Sequence, residues 1–400
     1  MSFFRSKSSR LFISIIKKEE DTLKKTLSLI LCLVLTLYLA PRVSSAPSEG
    51  VSTQCKAAIL IDAETGTVLF EKNATEHLSI ASVTKIMTLL LTMEAIDGGI
   101  IKLEDKVTVS EYAASMGGSQ AFMEPGEVLS VHEMLKAVAV ASANDGAVAL
   151  AEHIAGSESA FVDRMNKKAA ELGMNDTLFM NPTGLDDDCE PYSCAGDVAK
   201  MSRELLKYPL ILEYTTIWTD SIRNGAFGLA NTNKLIRFYT GANGLKTGST
   251  AKAKFCVSAA AKRGDMQLIA VVLGGETSKS RFEDAKAMLN FGFASYAIYD
   301  PGKLSAATVQ VYGGKEEGVV PMIPSEKLLV EKSLLSSVSS RMEISPSLNA
   351  PVEKGQIIGK LIYESKSGVI KELPICSDRA VEKADRAFIF NELLRSALGS

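Results

Sequence analysis

At 400 residues the chain is long enough for one large domain or two ordinary ones, and 46% hydrophobic residues can fill a substantial core. Mixed charges summing to -3 at pH 7 argue against a polyanion partner, so no nucleic acid is expected. Three scattered histidines (His77, His132, His153) with no ligand-like spacing to any cysteine argue against a zinc site, and no metal or organic cofactor is expected.

The N-terminus reads as a secretory signal over 1–45. Lys17, Lys18, Lys24 and Lys25 precede the apolar run 27–40 (LSLILCLVLTLYLA), and small residues follow, with a cleavage point after Ser45. That run is short for a membrane span, and either cleavage or anchorage places the rest of the chain outside the cytoplasm, in the cell wall or on the outer face of the membrane. Beyond the leader's Cys32 lie Cys55, Cys189, Cys194, Cys256 and Cys376, an odd number; Cys189 and Cys194 are near enough in sequence to bridge, without geometry to establish it.

Residues 57–74 read as two strands around a Glu64-Thr65-Gly66 turn. Helical periodicity follows over 82–96, 131–140, 145–154 and 160–172, the last ending at Gly173 as a helix C-cap. Strands return at 255–262 and 266–273 around Arg263-Gly264-Asp265, followed by a helix over 281–289. One antiparallel sheet built from both ends of a 50–298 domain, with a helical cluster between them, is the economical α+β architecture. Short alternating segments at 307–312, 327–330, 356–363 and 369–373 predict a small all-β domain over 300–383. In a short helix over 384–400, Phe390, Leu393, Leu394, Ala397 and Leu398 fall on one stripe; packing on a protein core is the first reading of it, peripheral membrane contact the second.

Three short motifs carry chemistry. In ASVTKIMT (81–88), Lys85 stands three residues after Ser82, on the same helical face, so its amine can reach the hydroxyl. The same spacing recurs without evident role at Ser14 and Lys17, so the motif gains weight only from its company. Ser142-Ala143-Asn144 sits between two predicted helices, where a loop can aim side chains into a cleft. Lys246-Thr247-Gly248 leads into the late strands, and its glycine permits a ligand to approach the backbone closely.

With these motifs in order, the chain resembles the serine-active-site penicillin-recognising enzymes, whose signature is S-x-x-K, S-x-N and K-T-G. The flanking text ASANDGAVALAEHIAG, FVDRMNKKAAELGMNDTLFMNPTGLD, GLKTGST, SRFEDAKAML and APVEKGQIIGKL is similar to the D-alanyl-D-alanine carboxypeptidases among the low-molecular-weight penicillin-binding proteins. The resemblance implies a transpeptidase/β-lactamase-like catalytic domain followed by the small β domain, a peptidoglycan stem peptide ending in D-Ala-D-Ala as substrate, and acylation by β-lactam antibiotics. It departs from the family pattern at Ala143, where glycine is usual, at Pro191-Tyr192-Ser193-Cys194-Ala195, where a His-Tyr-Ser-Thr-Ala-like run is usual, and in lacking a tryptophan-rich tail.

The implied roles follow. Ser82 is the nucleophile and Lys85 its base, provided burial and the charge of Lys246 lower the amine's pKa. Ser142 relays a proton to the leaving amine, and Asn144 holds Lys85 and a substrate amide. Lys246, Thr247, Gly248 and Ser249 line the substrate, with Arg281 joining Lys246 and Thr247 at its carboxylate. The backbone N–H groups of Ser82 and Ser249 form the oxyanion hole. A β-lactamase is disfavoured because no E-x-x-L-N segment lies between Asn144 and Lys246. A D,D-endopeptidase would use the same residues, and a catalytically silent wall-binding protein would not need them intact.

Overall fold

The computed structural model describes residues 50–185 and 190–398. The expected leader and Cys189, one half of the conceivable bridge, lie outside them.

The hairpin forms as expected, from β1 (Ala57–Asp62) and β2 (Val68–Lys72). Its turn is closed by the Asp62 carboxylate, which accepts the backbone N–H and the hydroxyl of Thr65, both at 2.8 Å. The helical middle comprises α1 (Lys85–Asp97), α2 (Val131–Lys136), α3 (Asn144–Ala155), α4 (Glu158–Glu171) and α5 (Ala195–Leu205). Strands β3 (Ala242–Thr250), β4 (Lys254–Arg263) and β5 (Met266–Gly275) and helix α6 (Ser278–Ser295) complete this part.

The five strands make one antiparallel sheet in the order β2-β1-β5-β4-β3, so both ends of the region meet in it. Both faces are covered, and the period-2 pattern assigns each residue to one of them. Ile59 and Ile61 of β1 and Ile269 and Val271 of β5 pack with α1 and its neighbours. Ala58 and Leu60, with Leu268 and Ala270, pack against Phe282, Met288 and Leu289 of α6 on the other face. Edge strand β3 is left facing the helical cluster, which fixes the site between a rigid sheet and α1.

Two predicted helices differ locally. Residues Ala81–Thr84 form a 3-10 turn and the α-helix starts only at Lys85. After α2, Ala137–Ala141 is a π-helical turn that ends with Ser142 in the left-handed region at φ 66. Helix α5 was not anticipated; its N-cap is Cys194, whose sulfur accepts the Asp197 N–H at 3.4 Å.

Strands recur in the rest of the chain. β6 (Tyr296–Tyr299) pairs with β8 (Leu328–Glu331), and β7 (Val309–Tyr312) lies between Gly318–Val319 and Ser347–Asn349. β9 (Ser339–Ile344), β10 (Ile357–Ser365), β11 (Gly368–Ser377) and Pro321–Met322 form a four-stranded antiparallel sheet over a core that includes Leu361, Tyr363 and Ile375. Helix α7 (Arg386–Leu398) corrects one expectation: its stripe does not pack on a core, since Phe390, Leu393 and Leu394 are 62%, 65% and 43% exposed. Among the described residues no helix is long and apolar enough to cross a membrane.

Candidate active site

The three motifs converge. In the 3-10 turn, residues three apart eclipse one another, so Lys85 stands directly over Ser82 and its Nζ lies 3.0 Å from Ser82 Oγ. The amine is completely buried and also bonds Asn144 Oδ1 at 2.5 Å and the Thr183 carbonyl at 2.8 Å. Burial, then the nearby Lys246 charge, holds its pKa well below the ordinary lysine value, against an opposing pull from Asp145.

These three partners dictate where the lone pair of a neutral amine points. The Asn144 and Thr183 oxygens only accept, so they take the two N–H groups. Ser82, the one partner able to donate, is left facing the lone pair. A neutral Lys85 amine thereby has its lone pair directed at the Ser82 hydroxyl.

Asn144 opens α3, and its position is set from the chain segment before it. Its backbone N–H donates to the Ser119 carbonyl and its Nδ2 to the Gly117 carbonyl, both at 2.7 Å. One Nδ2 hydrogen is thus committed, leaving the other for a substrate amide. Ser142 is buried, and its Oγ finds no partner among the described residues. An orphaned buried hydroxyl in strained backbone is the kind of group that a ligand or reacting proton completes.

Lys246 on β3 is also buried; desolvation, then the Arg281 charge, brings its pKa down from 10.5 to about 7. Its Nζ donates to the Thr247 carbonyl at 2.9 Å, and the Thr247 hydroxyl donates to Thr232 Oγ1 at 2.7 Å. Ser249, two residues beyond Thr247, is exposed.

Gly248 corrects the expectation of an open approach. A Cβ there would sit 2.7 Å from the Ile80 carbonyl, 2.8 Å from the Ser82 nitrogen and 2.9 Å from the Val83 nitrogen. The space its bare α-carbon leaves is filled by the backbone of the Ser82 turn, so the glycine seats that turn against β3. Arg281 is nearly buried on α6, where NH1 donates to the Gly248 carbonyl at 3.0 Å and the Cys256 carbonyl at 3.2 Å. Burial lowers its pKa to about 10, leaving it cationic at neutral pH.

Sequence reasoning missed Thr183. It contributes a backbone carbonyl, which no side-chain pattern announces; the only signal was its place in the flanking text NPTGLD. Among the described residues Asp176, Cys194 and Asp197 could offer clustered ligand atoms, but Lys200 already pairs with Asp197 at 2.8 Å and burial raises the Cys194 thiol to about 11.

A hydroxyl under a dehydrated amine, a second buried lysine on an edge strand and a helical cluster over an antiparallel sheet define a serine acyl-transfer site of the penicillin-recognising fold. Residues 42–277 match the family model for D-alanyl-D-alanine carboxypeptidases, and residues 293–383 match that for the C-terminal domain of penicillin-binding protein 5. The chain belongs to the D-alanyl-D-alanine carboxypeptidase family.

It is 44% identical over 375 residues to D-alanyl-D-alanine carboxypeptidase DacF of Bacillus subtilis, covering 90% of this chain and 96% of that protein. It is 33% identical over 359 residues to DacC of Escherichia coli, covering 87% and 88%. Among solved structures it is similar to penicillin-binding protein 5 from Haemophilus influenzae, with a TM-score of 0.75 and 30% identity over 85% of this chain and 100% of that one. It is also similar to penicillin-binding protein D2 from Listeria monocytogenes in its ampicillin-bound form, with a TM-score of 0.55 and 32% identity over 62% and 100%.

Proposed function

We propose that this chain is a serine-type D-Ala-D-Ala carboxypeptidase that removes the terminal D-alanine from peptidoglycan stem pentapeptides and is acylated by penicillin. The observation that carries the residue roles is the fully buried Lys85 amine 3.0 Å from Ser82 Oγ, with acceptor-only partners on its other two sides.

Lys85 takes the Ser82 proton as Oγ attacks the carbonyl carbon between the two D-alanines. Negative charge builds on the carbonyl oxygen, and the Ser82 and Ser249 backbone N–H groups receive it. Ser142 carries a proton to the amine as the C–N bond breaks; D-alanine departs, and water then hydrolyses the Ser82 ester. Lys246 holds the substrate's terminal carboxylate together with the Thr247 hydroxyl, which turns from Thr232 Oγ1 to donate to it. Arg281 adds its charge from behind β3, where its bonds to the Gly248 and Cys256 carbonyls also fix the strand. A bound carboxylate favours the protonated form of Lys246, so substrate draws a proton onto that amine.

The enzyme acts outside the cytoplasm after secretion through residues 1–45, on the cell wall, where trimming of stem peptides bears on cell shape. Domains over 50–298 and 300–383 carry catalysis and the β-rich extension, and the exposed stripe of α7 rests on the membrane surface.

Intact-protein mass spectrometry with benzylpenicillin, beside Ser82→Ala, tests this together with D-alanine release from a diacyl-Lys-D-Ala-D-Ala peptide. A lasting adduct on the unmodified chain alone, with D-alanine released, is expected. Rapid penicillin turnover without an adduct indicates a β-lactamase; neither adduct nor D-alanine indicates a wall-binding protein.

A further inference from the structure

The carbonyl that orients Lys85 belongs to a turn over residues 181–185, and one side chain organises that turn. Asn181 Oδ1 accepts three hydrogen bonds: from the Thr183 N–H at 3.1 Å, the Thr183 hydroxyl at 2.9 Å and the Gly184 N–H at 2.6 Å. Its Nδ2 donates to the Leu185 carbonyl at 2.7 Å, and the Leu185 N–H donates to Thr183 Oγ1 at 3.2 Å. Among the described residues both ends of the amide bond the turn's own backbone and hydroxyl, and the Thr183 carbonyl points outward at Lys85 Nζ.

The turn is also wedged against the segment it serves. Gly184 has φ +81, and a Cβ there would come within 1.9 Å of the Ala81 carbonyl. The Thr88 hydroxyl, one residue short of a helical turn beyond Lys85, donates to the Pro182 carbonyl at 2.7 Å. Asn181 itself touches neither Ser82 nor Lys85 through any of these bonds.

We propose that Asn181 is a positioning residue for the general base: by shaping the 181–185 turn it fixes the Thr183 carbonyl, which takes one Lys85 N–H and so keeps the amine's lone pair on Ser82. The inference rests on Lys85 being the base. With Asn144 as the only fixed acceptor, rotation about the Cε–Nζ bond lets the lone pair face either remaining direction. With both acceptors fixed, only one orientation satisfies the amine.

Among the described residues the charged groups that bear on Lys85 are Lys246, from β3, and Asp145, from α3. The turn adds dipoles and excludes water but brings no charge of its own over 181–185. Loosening it admits water beside the amine and restores part of its basicity as an ammonium; the limb on which acylation rises with pH then moves to higher pH.

The test compares acylation by benzylpenicillin in the intact protein, Asn181→Ala and Asn181→Asp across pH 5 to 10, resolving the limiting rate from the binding constant. For Asn181→Ala the limiting rate should fall by about 10- to 100-fold with penicillin affinity little changed, and the rising limb should shift upward. Asn181→Asp still accepts the three donors but loses the bond to the Leu185 carbonyl, so at high pH it should recover part of the limiting rate that alanine loses while the added carboxylate keeps the limb shifted. Either of two results overturns the proposal: an alanine variant with the limiting rate and pH profile of the parent, or an aspartate variant no faster than alanine at any pH. Should Asn181→Ala not fold, an aspartate variant with an unshifted limb overturns it. Failure of the parent itself to acylate on Ser82 would instead refute the proposed function.

Discussion

Replacing Lys246 by methionine should make the protein more stable while disabling it. The amine is buried with a pKa near 7, against 10.5 unperturbed, a depression of about 3.5 units; at about 1.36 kcal/mol per unit this is about 5 kcal/mol by which folding disfavours the charged form. At pH 7 the folded amine is half-titrated while the unfolded one is fully charged, so about 4 kcal/mol of that penalty is in force. Methionine removes it at similar length but forfeits the bond to the Thr247 carbonyl, worth about 1 kcal/mol. The net gain is about 2 to 4 kcal/mol, or roughly 5–10 °C in Tm for a domain of this size. The sign of the pH dependence is fixed too. Between about pH 7 and 10.5 the unfolded chain holds a proton that the folded one lacks, so Lys246 makes stability rise with pH, and below that window its penalty is fully present. Urea unfolding of both proteins from pH 7 to 9 reads this contribution together with the relief of Lys85, whose pKa the Lys246 charge depresses. A variant less stable than the parent at pH 7, or a stability difference that does not narrow as pH rises, would refute the reasoning. D-alanine release should be lost in either case.

Two further substitutions probe the backbone. Gly248→Ala should slow penicillin acylation by more than about 100-fold, because the new methyl displaces the Ser82 turn rather than any ligand; rates within a few-fold of the parent would show that the turn yields freely. Ser142→Gly should raise stability by about 1 kcal/mol in urea unfolding, since it relieves a left-handed φ of 66 and deletes a buried hydroxyl that has no partner among the described residues, while D-alanine release collapses; a less stable variant would mean the hydroxyl is bonded in the folded protein.

The strands and the Ser82-Lys85 pair were legible in the sequence because each reflects a short, rigid period. β1, β4 and β5 are buried on both faces, so apolar residues run through them, and spacing of three brings Ser82 and Lys85 together whether the turn is α or 3-10. What stayed hidden involves backbone or environment. The Thr183 carbonyl has no side-chain signature, the glycine of Lys246-Thr247-Gly248 signals close approach without saying by what, and α5 begins at a cysteine where Ser, Thr, Asp or Asn is the usual sign. The stripe on α7 shows the same limit: periodicity reveals an apolar face, but not what covers it.

Two buried lysines near one another cost stability, and the site keeps that cost by withholding carboxylates. The hydrogen-bond partners of Lys85 are a hydroxyl, an amide oxygen and a carbonyl, and that of Lys246 is a carbonyl, so none carries a charge. Among the described residues the acid that bears on Lys85 is Asp145, and its oxygens are occupied by the backbone N–H groups of Ala121, Met123 and Gly146. Those bonds spread the carboxylate's charge over the peptide groups around it and hold it off the amine. Had Asp145 paired with Lys85 directly, the ammonium would be favoured and the proposed base lost. The same bonds tie residues 121–123 to the start of α3, next to the Gly117 and Ser119 carbonyls that position Asn144. Asp145 thus braces the segment that seats Asn144 while its hydrogen bonds go to backbone N–H groups, which explains why an acid sits fully buried near Lys85 without being its hydrogen-bond partner.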